Sequence, residues 1–145
     1  MSPRSLGLVR NCVLLLMAAY PAAAAAQAPT PPDILGTWRG TSICVDKAAF
    51  PACHDEEVVY DIRPAAQSPD SVLVRADKVV NGVREFMAEL RFGRGPGGAW
   101  SSMPPSTRFR ARWTLRVEGS RLSGALVDLP SGHQVREVSL QRSAP

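Results

Sequence analysis

Beyond residue 26 the chain has no apolar run long enough to cross a bilayer as a helix, no stretch with a sustained helical period and no internal repeat. These absences argue against a helical membrane span, a helical bundle and a solenoid. Histidine is scarce: His54 and His133 are the only two, both in expected loops, and neither stands in a Ser or Cys arrangement that reads as nucleophile and base. An enzyme is therefore not the expectation. Gly93-Arg94-Gly95-Pro96-Gly97-Gly98 satisfies G-x-G-x-x-G in letters, but a dinucleotide site needs a helix to follow, and here Trp100 begins another strand. A hairpin loop is expected there, with no cofactor.

Cysteine is also sparse, at three residues. Cys12 falls in a segment where Arg4 and Arg10 flank the approach to a short apolar core, Leu14 to Leu16 at its centre, followed by Ala24-Ala25-Ala26. That order of charge, apolar core and small residues is an export signal, so residues 1–26 are expected to be removed. Val9-Arg10-Asn11 lacks the small apolar residues of a lipid-attachment site, so no lipid anchor is expected. Cys44 and Cys53 remain, in a periplasmic or secreted chain whose compartment is oxidising, and a disulfide between them is expected. Loss of Arg4 and Arg10 takes the basic count from 17 to 15 against 13 acidic residues, a net charge near +2. Residues 27–33, rich in Pro and Ala, read as a flexible lead. Residues 34–143 are then one domain with one core.

What is present is alternation. In residues 107–117, Thr107, Phe109, Ala111, Trp113, Leu115 and Val117 fall on one face, and Arg108, Arg110, Arg112, Thr114 and Arg116 on the other. A period of two means a strand with one dry and one wet side. Similar segments occupy 36–45, 56–63, 71–80, 83–92, 99–103, 121–128 and 134–142, separated by turn residues. Eight antiparallel strands in an up-and-down meander, closed to remove both edges, make an all-β barrel the expected fold.

Two hairpins set the expected pairing. Gly119-Ser120 suits a type II′ turn and places Val117 against Leu122, Leu115 against Gly124, Trp113 against Leu126 and Ala111 against Asp128. Asn81-Gly82 suits type I′, with Val80 opposite Val83. Continued regularly, that pairing sets Asp77 against Phe86 and Arg75 against Ala88, and turns Phe86, Ala88, Leu90 and Phe92 inward together with Arg75 and Asp77. A bulge slips the register by one, turning Val72, Val74 and Ala76 inward and Arg75 and Asp77 out to solvent. Both registers stay open.

The trace gathers the Cys44–Cys53 loop, the Asn81-Gly82 turn, Pro104-Pro105 and residues 129–132 at an open end. Trp38, Phe92, Val117, Leu122, Leu140 and Arg142 lie at an end closed by packing. Ligand-binding candidates are Tyr60, Arg75, Asp77, Arg84, Phe109, Trp113, Asp128 and Arg136, because buried charges need partners, water or a ligand. The small inward residues Gly40, Ala88, Ala111 and Gly124 either leave space or admit a neighbour's side chain. Cys53-His54-Asp55-Glu56-Glu57 lacks the spacing of a zinc or calcium site and reads as a solvated acidic loop, with no metal expected. The arginine stripe at 108, 110, 112 and 116 reads as a solvated face neutralised laterally by Glu85 and Glu89.

Gly36-Thr37-Trp38 at the start of the first strand, with Arg142 near the end of the last, resembles the lipocalin-like (calycin) group. In that group Gly-x-Trp opens the barrel and an Arg packs over the Trp ring at the closed end. The resemblance implies structural roles for Gly36, Trp38 and Arg142 and a barrel that holds a small molecule. It lacks the other lipocalin motifs and the helix that usually follows the barrel. The functional expectation is a carrier of a small apolar or amphipathic molecule, with Arg75, Arg84 or Arg136 available to steer an anionic one. The competing expectation is a packed, ligand-free barrel acting on an envelope component or as an inhibitor. Nucleic acid is not an expected partner.

Overall fold

The computed structural model describes residues 33–106 and 110–144. The expected export signal, nearly all of the lead and Phe109 lie outside the described residues. Eight strands follow one another: β1 (Gly36–Cys44), β2 (Glu56–Pro64), β3 (Ser71–Val80), β4 (Val83–Arg94), β5 (Trp100–Ser102), β6 (Ala111–Glu118), β7 (Arg121–Asp128) and β8 (Gln134–Arg142). Each pairs antiparallel with its neighbour, and β1 pairs with β8 to close the barrel. Closure satisfies the backbone donors and acceptors that an open sheet leaves at its edges. β5 is short because Pro104 and Pro105 follow it, and proline cannot donate to a ladder. The glycine-rich segment is a single 3-10 turn, Pro96–Gly98, between β4 and β5.

Turn chemistry sets the hairpins. Asn81 and Gly82 have φ of 52° and 79°, as type I′ requires, and at Gly119-Ser120 only Gly119 is positive, at 60°, as type II′ requires. The β6–β7 pairing is the expected one throughout, from Val117 opposite Leu122 to Ala111 opposite Asp128. The β3–β4 pairing combines both open registers. Asp77 faces Phe86, but one step further Ala76 faces Ala88 and Arg75 faces Glu89, so Met87 is an extra residue on β4. This bulge overturns the inward assignment of Phe86 and decides the open one of Arg75. Phe86 sits on the outer wall and is exposed, and Arg75 is turned outward as well, while Val72 and Val74 are buried in the interior.

The closed end is dry. Ile34, Trp38, Val72, Phe92, Trp100, Leu115, Leu122 and Leu140 form its core. Trp38 is fully buried and its Nε1 donates to the Ile34 carbonyl at 2.8 Å. The Arg142 guanidinium lies 4.1 Å from the centre of a Trp38 ring and donates to the carbonyls of Leu35, at 2.5 Å, and Asp33. One cation thus covers the indole and ties down the chain entering the barrel. Gly36 has φ of +120°, and a Cβ there would stand 3.1 Å from an Arg142 nitrogen. A side chain at position 36 would be strained and would crowd the guanidinium. Gly40 and Gly124 leave no space in this layer: a Cβ at Gly40 would meet the Ser139 carbonyl at 2.1 Å, and one at Gly124 would meet Leu115 at 2.5 Å.

Candidate functional site

Between the closed end and the opposite rim the barrel encloses a cavity of about 300 Å³. Eight strands leave an interior that side chains either fill or shape around one small ligand. Here the filling stops partway up. Val74, Ala76, Ala88, Leu90, Phe92, Trp113, Leu115 and Leu126 give the wall its apolar character, and Met87 adds a thioether from the bulge. Ala76 and Ala88 are directly paired, so two short side chains face the interior where larger ones would have closed it.

The polar side of the cavity is small and lies toward the rim. Glu56 and Tyr60 share the inner face of β2, Ser42 lies on β1 and Arg136 on β8. Arg136 ties Ser42 to Glu56. Its Nη1 donates to Ser42 Oγ at 2.6 Å and to Glu56 Oε2 at 3.0 Å, and its Nη2 donates to the His54 carbonyl at 2.5 Å. The two charged side chains are only 16% and 24% exposed, so each supplies the counter-charge that the other needs. Tyr60 is 6% exposed, and its hydroxyl has no hydrogen-bond partner among the described residues. Burial pushes the phenol well above its ordinary value, opposed by the Arg136 charge and reinforced by Glu56. The hydroxyl is therefore protonated at any ordinary pH and can donate as well as accept.

Of the residues that the sequence marks as ligand-binding, Tyr60, Trp113 and Arg136 line this cavity. Arg75, Asp77 and Arg84 do not. They form a network on the outer wall: Arg75 Nε lies 3.1 Å from Asp77 Oδ1, Arg84 Nε lies 2.8 Å from Asp77 Oδ2, and Arg84 also pairs with Asp61. Asp77 is 2% exposed, yet it is buried beneath arginines rather than inside the barrel. Arg75 in turn lies over the Phe86 ring at 5.1 Å. Asp128 is taken up by its own loop, accepting from Ser131 N at 3.0 Å and Ser131 Oγ at 2.5 Å. Phe109 lies outside the described residues.

Glu56 is the residue that sequence reasoning missed. It was grouped with a solvated acidic loop, whereas it begins β2, and counting back from Tyr60 in twos reaches it on the same face. Its neighbours behave as surface groups: Asp55 holds Lys47 and the Cys44 backbone N–H, and Glu57 holds Arg39. Cys44 and Cys53 form the expected disulfide, with Cα atoms 5.9 Å apart. Phe50 and Cys53, from the loop it closes, pack against Ala111, Leu126 and Val135 at the rim. Glu85 and Glu89 do not neutralise the arginine stripe of β6, because they pair with Lys78 and Arg63.

The outer network carries a pH dependence. Partial burial by itself raises the Asp61 carboxyl, but hydrogen bonds from Arg84 and Thr37 and the nearby arginine charges outweigh it and hold the group below its ordinary value. A depressed native pKa contributes stability that is fully present above the unfolded-state value, about 3.9, and is lost as pH falls through the native value. Wild type is expected to lose more stability than Asp61→Asn between pH 5 and pH 2, by up to ~1 kcal/mol, since the paired side chains are about a third exposed. Thermal unfolding across that range checks this, and parallel curves for the two proteins would contradict it.

Compared with known proteins, the chain matches no protein-family model and no curated sequence. Among the described residues no helix is long and apolar enough to cross a membrane, and no three His, Cys, Asp or Glu side chains come together as a metal-binding group.

Proposed function

We propose that this protein is an exported carrier of a small, largely apolar or amphipathic molecule, held in the barrel interior in the manner of lipocalin-like proteins. One observation carries the reading: the cavity is apolar over most of its wall and has one compact polar group at the rim side, formed by Ser42, Glu56, Tyr60 and Arg136. Ligand pockets have that composition, with a few polar groups fixing orientation in an otherwise apolar space. The Cys44–Cys53 disulfide supports a site of action outside the reducing cytoplasm. Catalysis has no comparable support. Glu56, the acidic residue of the lining, is committed to Arg136, and the lining has no histidine to act as a base.

The test uses naphthalene, an uncharged probe of suitable size, in isothermal titration calorimetry with the folded protein. Binding is expected, with Ala88→Phe weakening it at least about tenfold, equivalent to ~1.4 kcal/mol, because the added ring occupies the space opposite Ala76. A thermal midpoint for the variant close to that of wild type shows that the barrel is intact. Absence of binding both by naphthalene and by an eight-carbon alcohol, or unchanged naphthalene affinity in Ala88→Phe, would remove the carrier reading.

A second reading, an interaction module working through its surface, draws on the exposed apolar side chains Ile43, Val45, Val80, Val83, Phe86 and Met103. Native mass spectrometry of protein purified from its own host separates the two. A co-purifying small molecule favours the carrier, and an apo mass accompanied by a bound protein favours the surface module.

A further inference from the structure

The charge pattern inside the cavity narrows the ligand's chemistry. Three arginines stood as handles for an anion on sequence grounds, and the structure removes each from that role. Arg75 and Arg84 are on the outer wall, paired with Asp77 and Asp61. Arg136 does reach the cavity, but Glu56 stands 3.0 Å from its Nη1 and cancels its charge. A carboxylate or phosphate placed beside Arg136 would meet the Glu56 carboxylate in the same low-dielectric space, and an ammonium group placed beside Glu56 would meet the Arg136 guanidinium. Either ion would shed its hydration without gaining an unmatched counter-ion.

What the cavity does offer is a neutral group. The Tyr60 ring is almost fully buried on the inner face, while its hydroxyl, without a partner among the described residues, stays accessible from the cavity. A hydroxyl that opens onto an otherwise apolar cavity marks the place for a complementary polar atom of a ligand. It can donate to a carbonyl or ether oxygen, or share a bond with an alcohol. Val74, Ala76, Leu90, Phe92 and Leu115 carry no such group and suit a hydrocarbon body.

Resting on the carrier reading above, we infer that the ligand is an uncharged amphiphile whose single hydroxyl or carbonyl group meets Tyr60, and that ions of the same length are rejected. Its size follows from the volume. At roughly 30 Å³ for each water-sized group at liquid density, a cavity of about 300 Å³ that opens toward the rim takes at least on the order of ten non-hydrogen atoms. Medium-chain alcohols, ketones and small terpenoid or aromatic alcohols are of this class. Long-chain fatty acids are excluded by charge.

A matched series tests the inference: 1-octanol, octanoate and octylammonium, titrated calorimetrically into the full barrel at pH 8, with Tyr60→Phe as the variant and naphthalene as the common reference. Octanol is expected to bind at least about tenfold more tightly than either ion. Tyr60→Phe, which keeps the ring and removes only the hydroxyl, is expected to weaken octanol by about three- to tenfold while leaving naphthalene unchanged. Arg75→Ala, on the outer wall, is expected to change neither. Octanoate binding as tightly as octanol would overturn the neutral-ligand inference while naphthalene binding left the carrier reading standing. Octanol affinity indifferent to Tyr60→Phe would likewise overturn it. Failure of naphthalene and of all three octyl compounds would defeat the carrier reading itself.

Discussion

Trp38→Ala is expected to lower the free energy of unfolding by about 3–5 kcal/mol, the range for removing a fully buried large aromatic side chain. The site explains why the upper half of that range applies. Trp38 has no solvent exposure and stands in the core layer with Ile34, Val72, Phe92, Leu122 and Leu140, most of them on rigid strands that cannot collapse into the space left behind. The substitution also removes the hydrogen bond from Nε1 to the Ile34 carbonyl and the ring beneath the Arg142 guanidinium. Arg142 would keep its bonds to the Leu35 and Asp33 carbonyls but lose its stacking surface. Urea unfolding of wild type, Trp38→Phe and Trp38→Ala checks the account, with Phe expected between the other two. A loss below ~1.5 kcal/mol for the alanine variant would mean that the closed end does not carry the fold.

Removing the disulfide, by Cys44→Ser with Cys53→Ser, is expected to cost about 2–4 kcal/mol, with ~2.7 kcal/mol from the loop-entropy relation for a loop of about ten residues. The effect acts mainly on the unfolded chain, because other contacts hold the loop in the native state. Phe50 and Cys53 pack on Leu126 and Val135, the Val45 N–H donates to the Val135 carbonyl at 3.0 Å, and Asp46 lies 3.0 Å from His133 Nδ1. The variant is therefore expected to fold to the same barrel and to bind naphthalene with little change, while its denaturation midpoint falls. Reductant added to wild type should reproduce that fall and should not move the double variant further. An unchanged midpoint in both experiments would show that the cross-link constrains the unfolded ensemble little.

The strands and the β6–β7 hairpin were legible because each rests on local chemistry. A period of two along β6 needs only the residues of β6, and Gly119-Ser120 carries its own turn type. Asn81-Gly82 was equally clear at the turn, yet the pairing it started did not persist. No residue near Met87 marks a bulge by composition. The extra residue is accepted because it lets Val72, Val74, Ala88, Leu90 and Phe92 all face inward at once, a requirement that belongs to two strands and not to either alone. The candidate site was legible in proportion. Tyr60, Trp113 and Arg136 lie on strands whose inner face was read correctly, and Arg75, Asp77 and Arg84 lie on the hairpin where two registers stayed open and the bulge decided between them.

Alternation, positive φ at the turns and the thiol count were enough to read an eight-stranded all-β chain, its two tight turns and the pairing of Cys44 with Cys53. The indole beneath a guanidinium at one end came from the resemblance to lipocalin-like proteins that Gly36, Trp38 and Arg142 carry. That Arg136 is matched by Glu56, that Asp77 is buried outside the barrel wall and that space remains around Tyr60 emerged with the assembled barrel. Charge matching and unfilled volume are sums over side chains from several strands. Their values exist only once the barrel has closed and set β1, β2 and β8 side by side.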